Sequence, residues 1–287
     1  MLCIGTETRS WLPFAETVTA FMLHRSHRRA LLFPAGSALP QGLQVVAGGS
    51  TQEWNMYVTG SGSEEYNMNL LADALVPYLL SNGIQYTRNT PDMTAGSSVR
   101  QANQGYYDFY LALHSNAAPE GRYGEERGII AFYYPGSTEG QRGAELIAEE
   151  LRKIYPLPGK VTTRATTTLG EVRLSRAPAV LVEIGYHDNY ADAVWVEGHM
   201  DDIAQQLARA LTRLFGLPFI YPMTPVGGTV NVSYGTLNLR SRPTPTGTII
   251  ANMPDGAAVT VYGEWQGWYV VHYQNYVGYA AAAYIDT

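Results

Sequence analysis

The sequence is poor in the residue types that mark several classes of protein. Its 287 residues include a single cysteine, Cys3, so no disulfide can form within the chain. This excludes a small module stabilised by internal disulfides. Charged residues make up only 15% of the chain, and the formal net charge is −6. A chain with this charge offers no general electrostatic attraction for nucleic acid, and we expect no nucleic-acid partner.

Long apolar runs are missing as well. No stretch approaches the roughly 18 apolar residues that are needed to cross a bilayer, so the sequence predicts no transmembrane segment. Near the N-terminus, Arg25, Arg28 and Arg29 precede the apolar run of residues 30–33. That run is too short for a convincing secretory signal peptide, so export would need another route.

The hydrophobic pattern of residues 43–216 is typical of an α/β domain. Residues 1–42 show no regular period, and we expect them to form a poorly ordered extension. A short strand is predicted at Leu43–Ala47, and a helix is predicted to begin after Ser63. Apolar runs and helical periods then alternate as far as Gly216. This alternation predicts a mostly parallel sheet flanked by helices.

The pattern changes after Gly216. Residues 217–228 contain three prolines and two glycines, which indicates a linker. From residue 229 to 287 the helical period is absent, and short strands are separated by turn residues. This part of the sequence predicts a small all-β barrel.

Chemically active side chains stand at the ends of two predicted strands. The apolar run of residues 109–113 is followed by His114, and the run of residues 179–182 is followed by Glu183. Open α/β sheets bind ligands at the carboxyl edge of their strands, so these two side chains are expected to converge. Imidazole and carboxylate groups are both zinc ligands, which makes a metallohydrolase the first hypothesis.

Several segments carry a family resemblance. Residues 43–216 resemble the family-3 zinc-dependent N-acetylmuramoyl-L-alanine amidases. The matching segments are Glu65 with Asn69, Leu-His-Ser-Asn at 113–116, Ala-Pro-Ala-Val-Leu at 177–181 and Val-Glu-Ile-Gly at 182–185. Residues 229–287 resemble a bacterial Src-homology-3-like cell-wall-binding domain, with matching segments at 237–243, 265–271 and 278–279. Both resemblances imply that the partner is peptidoglycan.

The amidase resemblance implies roles for individual residues. Glu65 and His114 would bind Zn²⁺, and Glu183 would be the general base that later protonates the leaving amine. Zinc lowers the pKa of bound water from about 15.7 to about 7, which suits amide hydrolysis at neutral pH. Asn116 would orient the His114 loop or the substrate, although a turn residue after a strand explains it equally well.

One part of the family pattern is missing. The family usually supplies its first metal ligand as a histidine in a glycine-rich turn, but residues 48–55 contain no histidine. The amide oxygen of Gln52 could replace it, or His187 could do so from the loop after Glu183. We favour His187, because imidazole is the better zinc ligand. A third alternative is that metal binding has been lost.

The implied function is peptidoglycan hydrolysis between N-acetylmuramic acid and L-alanine. The sequence leaves open whether the enzyme is a phage endolysin, a sporulation or germination lysin, or an autolysin. We expect a monomer that acts outside the cell or in the cell wall and contacts the wall through Trp265, Trp268 and Tyr279. Two other functions remain open: a catalytically silent wall-binding protein, and a zinc carboxypeptidase that acts on stem peptides.

Overall fold

The computed structural model describes residues 19–24, 55–90 and 93–287, which form an α/β domain followed by an all-β domain. Within these ranges the α/β domain has six strands, β1 to β6, at Thr19–His24, Gln85–Arg88, Phe109–Asn116, Ile129–Tyr133, Val161–Ala165 and Ala179–Tyr186. Its helices α1 to α6 span Glu64–Ser81, Ala95–Ala102, Thr138–Leu151, Gly170–Leu174, Tyr190–Gly198 and Met200–Phe215. The predicted fold class, an α/β domain with flanking helices and an all-β domain after it, is confirmed.

The strand directions differ from the expected ones, because the sheet is mixed. Its strand order is β2-β1-β3-β6-β4-β5. The pairs β3–β6 and β4–β5 are parallel, whereas β1 is antiparallel to both neighbours and β4 is antiparallel to β6. The expectation of a mostly parallel sheet is therefore corrected. A helix connects β4 to β5, but the connection from β3 to β4 is a loop without a helix, so the chain returns in the opposite direction.

The strand β1 lies in a segment that the sequence placed outside the domain. Thr19–His24 pairs with β2 on one side and β3 on the other, so this part of residues 1–42 belongs to the sheet. Its apolar run is only four residues long, which is too short to show a period. The other residues of the expected extension, and the predicted strand Leu43–Ala47, lie outside the described residues.

Helices cover both faces of the sheet. The larger apolar core packs α1, α3 and α6 against one face, and a smaller core packs α2 and α4 against the other. Phe109, Leu111 and Leu113 of β3 face the larger core, while Tyr110 and Ala112 face the smaller one. Because side chains alternate along a strand, His114 shares its face with Tyr110 and Ala112. None of the helices in the described part of the chain has the length and apolar character of a membrane span.

The C-terminal part of the chain, which we call the β domain, is an antiparallel sheet around its own core. Every pair of neighbouring strands in it is antiparallel. Its strands β7 to β13 span Val226–Val230, Thr236–Arg240, Ile249–Pro254, Ala258–Trp265, Trp268–Tyr273, Tyr276–Ala281 and Ile285–Asp286. This agrees with the all-β domain expected from the sequence.

The two domains are packed against each other at the C-terminal end of α1. Tyr279 of the β domain is 0% exposed, and its hydroxyl donates to the carbonyl oxygen of Asn82 at 2.8 Å. The side chain of Asn82 in turn bonds both the N–H and the carbonyl oxygen of Ile220, in the predicted linker. Gly83 leaves room for the Tyr279 ring, because a Cβ there would lie 2.8 Å from it. The linker is therefore part of a packed interface.

This position corrects one expectation. Tyr279 was predicted to contact the cell wall, but a side chain with no exposed surface cannot reach a polymer outside the protein. Its ring packs in an apolar cluster with Ile220, Val270 and Val277. The sequence pattern of a strand predicts which side chains face the core of their own domain. It cannot show that another domain covers the outer face.

We predict that Tyr279 couples the two domains. Tyr279→Ala should lower the free energy of unfolding by about 3–5 kcal/mol, the usual cost of truncating a buried aromatic side chain. Scanning calorimetry should then resolve two transitions at lower temperature, because the domains no longer stabilise each other. Tyr284→Ala is the matched control, since Tyr284 is 50% exposed. Equal melting temperatures for the two variants would contradict the coupling.

Candidate active site

Three ionisable side chains meet at the carboxyl edge of β3 and β6. Glu64, His114 and Glu183 each place one potential ligand atom within 4.8 Å of the others. His114 and Glu183 are register partners on the parallel strands β3 and β6, which puts them side by side. The convergence of these two strand ends agrees with the sequence-based expectation. We call these three residues the acidic cluster.

Glu64 enters the acidic cluster from the first turn of α1. Ser63 caps this helix, with its hydroxyl oxygen accepting from the backbone N–H of Tyr66 at 3.1 Å. The Glu64 Oε1 atom lies 3.0 Å from His114 Nδ1 and accepts a hydrogen bond from the N–H of Ser115 at 2.9 Å. A carboxylate in the first turn is also favoured by the helix dipole.

The sequence pointed to the neighbouring residue, Glu65, as the ligand on this helix. Glu65 is buried too, but the acidic cluster contains Glu64 and not Glu65. With 3.6 residues per turn, consecutive side chains on a helix point about 100° apart, so only one of the two can face His114. A pattern of two adjacent glutamates does not reveal which one does. The ligand role expected for Glu65 is untested, and Glu64 and Glu65 are alternative ligands on this helix.

A second carboxylate on His114 was not identified from the sequence. Glu171 of α4 is 4% exposed, and its Oε2 atom lies 2.9 Å from His114 Nε2. Its Oε1 atom accepts a hydrogen bond from the Tyr110 hydroxyl at 2.7 Å. Glu171 lies in a helix of only five residues, and nothing in its sequence neighbourhood separates it from a surface glutamate.

The carboxylates give this site a strong preference for positive charge. Burial alone would lower the pKa of His114, but Glu171 and Glu64 outweigh burial through hydrogen bonds and charge and raise this pKa well above its ordinary value. Burial would raise the pKa of Glu64, yet the hydrogen bond and positive charge of His114 hold it below its ordinary value. With Glu183 added, three carboxylates surround one imidazole. A divalent cation fits this donor set and would offset its negative charge.

His187, the favoured third ligand, lies close by but outside the acidic cluster. Its Nδ1 atom lies 3.0 Å from Ser115 Oγ and 3.1 Å from the Ser115 carbonyl oxygen. The Tyr57 ring stacks on the imidazole at 5.7 Å between centroids. Burial raises the pKa of the Tyr57 hydroxyl, which keeps it neutral. Gln52, the alternative ligand, lies outside the described residues.

The residues after His114 and Glu183 hold the rim of the site in place. The Asn116 side-chain oxygen accepts from the N–H of Ala117 at 2.9 Å, which agrees with the turn role considered for it. Across from it, the Asp188 carboxylate accepts from the N–H groups of Ala118 and Gly124. The loop from residue 117 to 128 is thereby tied to the end of β6. Substrate binding by Asn116 stays a prediction.

Gly185 explains how β6 turns away after Glu183. Its φ angle is +75°, which residues with a Cβ rarely adopt. The pairing with β3 shifts by one residue here: His114 faces Glu183, but Asn116 faces Tyr186. This is a β-bulge, a feature that is common next to active sites because it redirects side chains. Asp192 fixes the bulged segment by accepting from the N–H of Tyr186 at 3.1 Å.

The other predicted wall-binding residues lie in the β domain, away from the acidic cluster. Trp265 and Trp268 are half-buried and pack beside the interface between the domains. Two tyrosines that the sequence analysis did not single out are exposed, Tyr234 by 94% and Tyr284 by 50%. Tyr234 follows Ser233 in the turn between β7 and β8. The sequence indicates a turn there, but it does not show that the tyrosine side chain is exposed.

Comparison with known families accounts for most of the chain. The sequence model of the family described as N-acetylmuramoyl-L-alanine amidase matches residues 48–213, more than half of the chain. A second model, described as bacterial SH3 domain, matches residues 235–286. Among curated protein sequences, none matches this chain.

Solved structures of similar shape include three amidases. An N-acetylmuramoyl-L-alanine amidase from Clostridium difficile 630 is 17% identical with a TM-score of 0.49, covering 58% of this chain and 92% of its own. The amidase AmiC2 of Nostoc punctiforme is 17% identical and has a TM-score of 0.49. The match covers 56% of this chain and 88% of the AmiC2 chain. The catalytic domain of CwlV from Bacillus (Paenibacillus) polymyxa var. colistinus is 16% identical and has a TM-score of 0.47. The match covers 57% of this chain and 90% of the CwlV chain.

Proposed function

We propose a zinc-dependent mechanism for this chain, which belongs to the N-acetylmuramoyl-L-alanine amidase family. The protein acts on peptidoglycan and hydrolyses the amide bond between N-acetylmuramic acid and the L-alanine of the stem peptide. The observation that supports the mechanism is the acidic cluster, in which Glu64, His114 and Glu183 lie within 4.8 Å of one another. Its donor atoms are those that zinc accepts in hydrolases.

In this proposal Glu64 and His114 hold the zinc ion. Both are buried, and the N–H of Ser115 donates a hydrogen bond to the Glu64 carboxylate. When bound, zinc acidifies a water molecule and polarises the carbonyl oxygen of the amide. A third protein ligand completes such a site, and His187 through Nε2, or Gln52, remains our prediction for it.

Glu183 is the proposed general base. It is more exposed than Glu64 and His114, which supports a role in contact with water and substrate. Its carboxylate takes the proton from the attacking water and later delivers this proton to the leaving amine of L-alanine. The parallel register with His114 fixes the distance between base and metal ligand through the sheet itself.

We predict that the two adjacent glutamates of α1 have different roles. Glu64→Ala should abolish zinc retention after dialysis, because it removes the carboxylate that lies against His114. Glu65→Ala is the matched control, with the same chemical change one position along the helix, and should keep its zinc. Elemental analysis of the purified variants measures this directly. Zinc loss in Glu65→Ala together with full occupancy in Glu64→Ala would restore the assignment made from the sequence.

We predict that Glu183→Gln keeps zinc but loses turnover. Removing a positioned general base typically costs about 10²- to 10⁴-fold in rate, while glutamine keeps the size of the side chain. The variant should therefore show wild-type zinc content by elemental analysis and a greatly reduced kcat on soluble muropeptides. If zinc is lost as well, Glu183 is a metal ligand, and the base must be sought elsewhere.

The β domain is proposed to hold the enzyme on the wall, outside the cell, as a monomer. Its role rests on the match to bacterial SH3 domains and on its exposed aromatic side chains, which suit contacts with sugars and peptides. We add Tyr234 and Tyr284 to Trp265 and Trp268 as wall-contact residues.

Helix α1 has 18 residues and is therefore about 27 Å long, and it separates the domain interface from the acidic cluster. The packed interface would keep the wall-contact residues at a fixed distance from the acidic cluster.

We predict that Tyr234→Ala weakens wall binding without affecting catalysis. The side chain is 94% exposed, so its loss removes contact area but leaves the fold intact. A sedimentation assay with insoluble peptidoglycan should show several-fold weaker binding, with unchanged kcat on soluble muropeptides. Tyr221→Ala serves as the control, since Tyr221 is an exposed tyrosine before the β domain. Wall binding equal to wild type in Tyr234→Ala would remove this residue from the contact surface.

A further inference from the structure

We propose that Glu171 is a positioning residue that fixes the orientation and tautomer of the His114 imidazole, and that Tyr110 holds Glu171 in place. This inference rests on the proposed function, in which His114 is a metal ligand. Its basis is a continuous hydrogen-bonded chain from the Tyr110 hydroxyl through the Glu171 carboxylate to His114 Nε2.

The two nitrogens of the His114 ring face different partners. Nδ1 lies 3.0 Å from Glu64 in the acidic cluster, and Nε2 lies 2.9 Å from Glu171 on the other side of the ring. A neutral imidazole carries one N–H, and a partner that only accepts hydrogen bonds draws this N–H towards itself. Both partners of the ring are carboxylates, so a doubly protonated ring can donate to each of them. A cation held between Nδ1 and Glu64 would take the place of the Nδ1 proton. Glu171 would then hold the remaining proton on Nε2 and leave the Nδ1 lone pair to the cation.

The structure fixes Glu171 at both carboxylate oxygens. Oε1 accepts from the Tyr110 hydroxyl and Oε2 faces His114, so the carboxylate cannot rotate without losing a bond. Tyr110 and His114 lie four residues apart on one face of β3, about 13 Å along the strand. The side chain between them on this face is Ala112, the smallest that still has a Cβ. Glu171 thus reaches between two residues of the same strand.

A buried carboxylate in this position is costly, which argues that it serves the site. Burying an ionised carboxylate costs several kcal/mol unless hydrogen bonds and opposite charge offset it. Tyr110 supplies no charge, so the stabilisation of Glu171 depends on His114. Partners of this kind orient metal-bound histidines in other metal sites, and removing them typically lowers metal affinity about 10- to 100-fold.

The test uses the full-length protein and two readouts other than activity. Zinc affinity is measured by competition with a chromophoric chelator, and the ligand field by the visible spectrum of the Co²⁺-substituted protein. Glu171→Gln should bind zinc about 10- to 100-fold more weakly than wild type and shift the Co²⁺ spectrum, because an uncharged amide oxygen is a weaker acceptor for the Nε2 proton than a carboxylate. Tyr110→Phe, a nearly isosteric change, should cause a smaller shift in the same direction.

Glu150→Gln is the matched control. Glu150 is also a buried glutamate with two partners, Lys153 and Arg213, but it lies on α3 outside the acidic cluster. It should lose stability and keep the zinc affinity and Co²⁺ spectrum of wild type. Circular dichroism and thermal melting confirm that each variant is folded before metal is added.

The outcomes separate this inference from the proposed function. If wild type binds zinc and both Glu171→Gln and Tyr110→Phe match it in affinity and spectrum, Glu171 is only structural and the inference is overturned. If Glu171→Gln does not fold, Tyr110→Phe decides by the same comparison. If wild type itself binds no zinc at His114, the proposed function fails, and the positioning role fails with it.

Discussion

The active site depends on one imidazole that is held between two buried carboxylates. His114 meets Glu64 at Nδ1 and Glu171 at Nε2, and all three side chains are shielded from water. Charges of this kind are costly inside a protein unless they are paired, so removing one member would destabilise the others. Three separate elements, the start of α1, the end of β3 and the short helix α4, must therefore be positioned together.

The rest of the molecule can be understood as support for that arrangement. Parallel pairing of β3 and β6 sets Glu183 beside His114, and the bulge at Gly185 turns the chain so that Asp188 can hold the loop after β3. Helix α1 connects the site to the β domain, because its first turn holds Glu64 and its C-terminal cap, Asn82, bonds Tyr279. The α/β domain and the β domain are thus linked by one rigid element.

The sequence predicts what local pattern determines, but it carries no information on what tertiary packing decides. His114 and Glu183 stand out because they end apolar strands, and this holds without any knowledge of the fold. The choice between Glu64 and Glu65 depends on how α1 is rotated against the sheet, and the role of Glu171 depends on a contact 57 residues away in sequence. Tyr279 looked exposed by its strand pattern, but a neighbouring domain covers it.

The chemistry that we propose for the acidic cluster is hydrolysis of the bond between N-acetylmuramic acid and L-alanine. The most direct measurement is mass spectrometry of the products after the full-length protein, loaded with zinc, has digested purified peptidoglycan. We expect free stem peptides that begin with an L-alanine amine, together with glycan strands that carry free lactyl carboxyl groups. Release of a terminal amino acid from stem peptides that stay attached to the glycan would contradict the claim and indicate a carboxypeptidase.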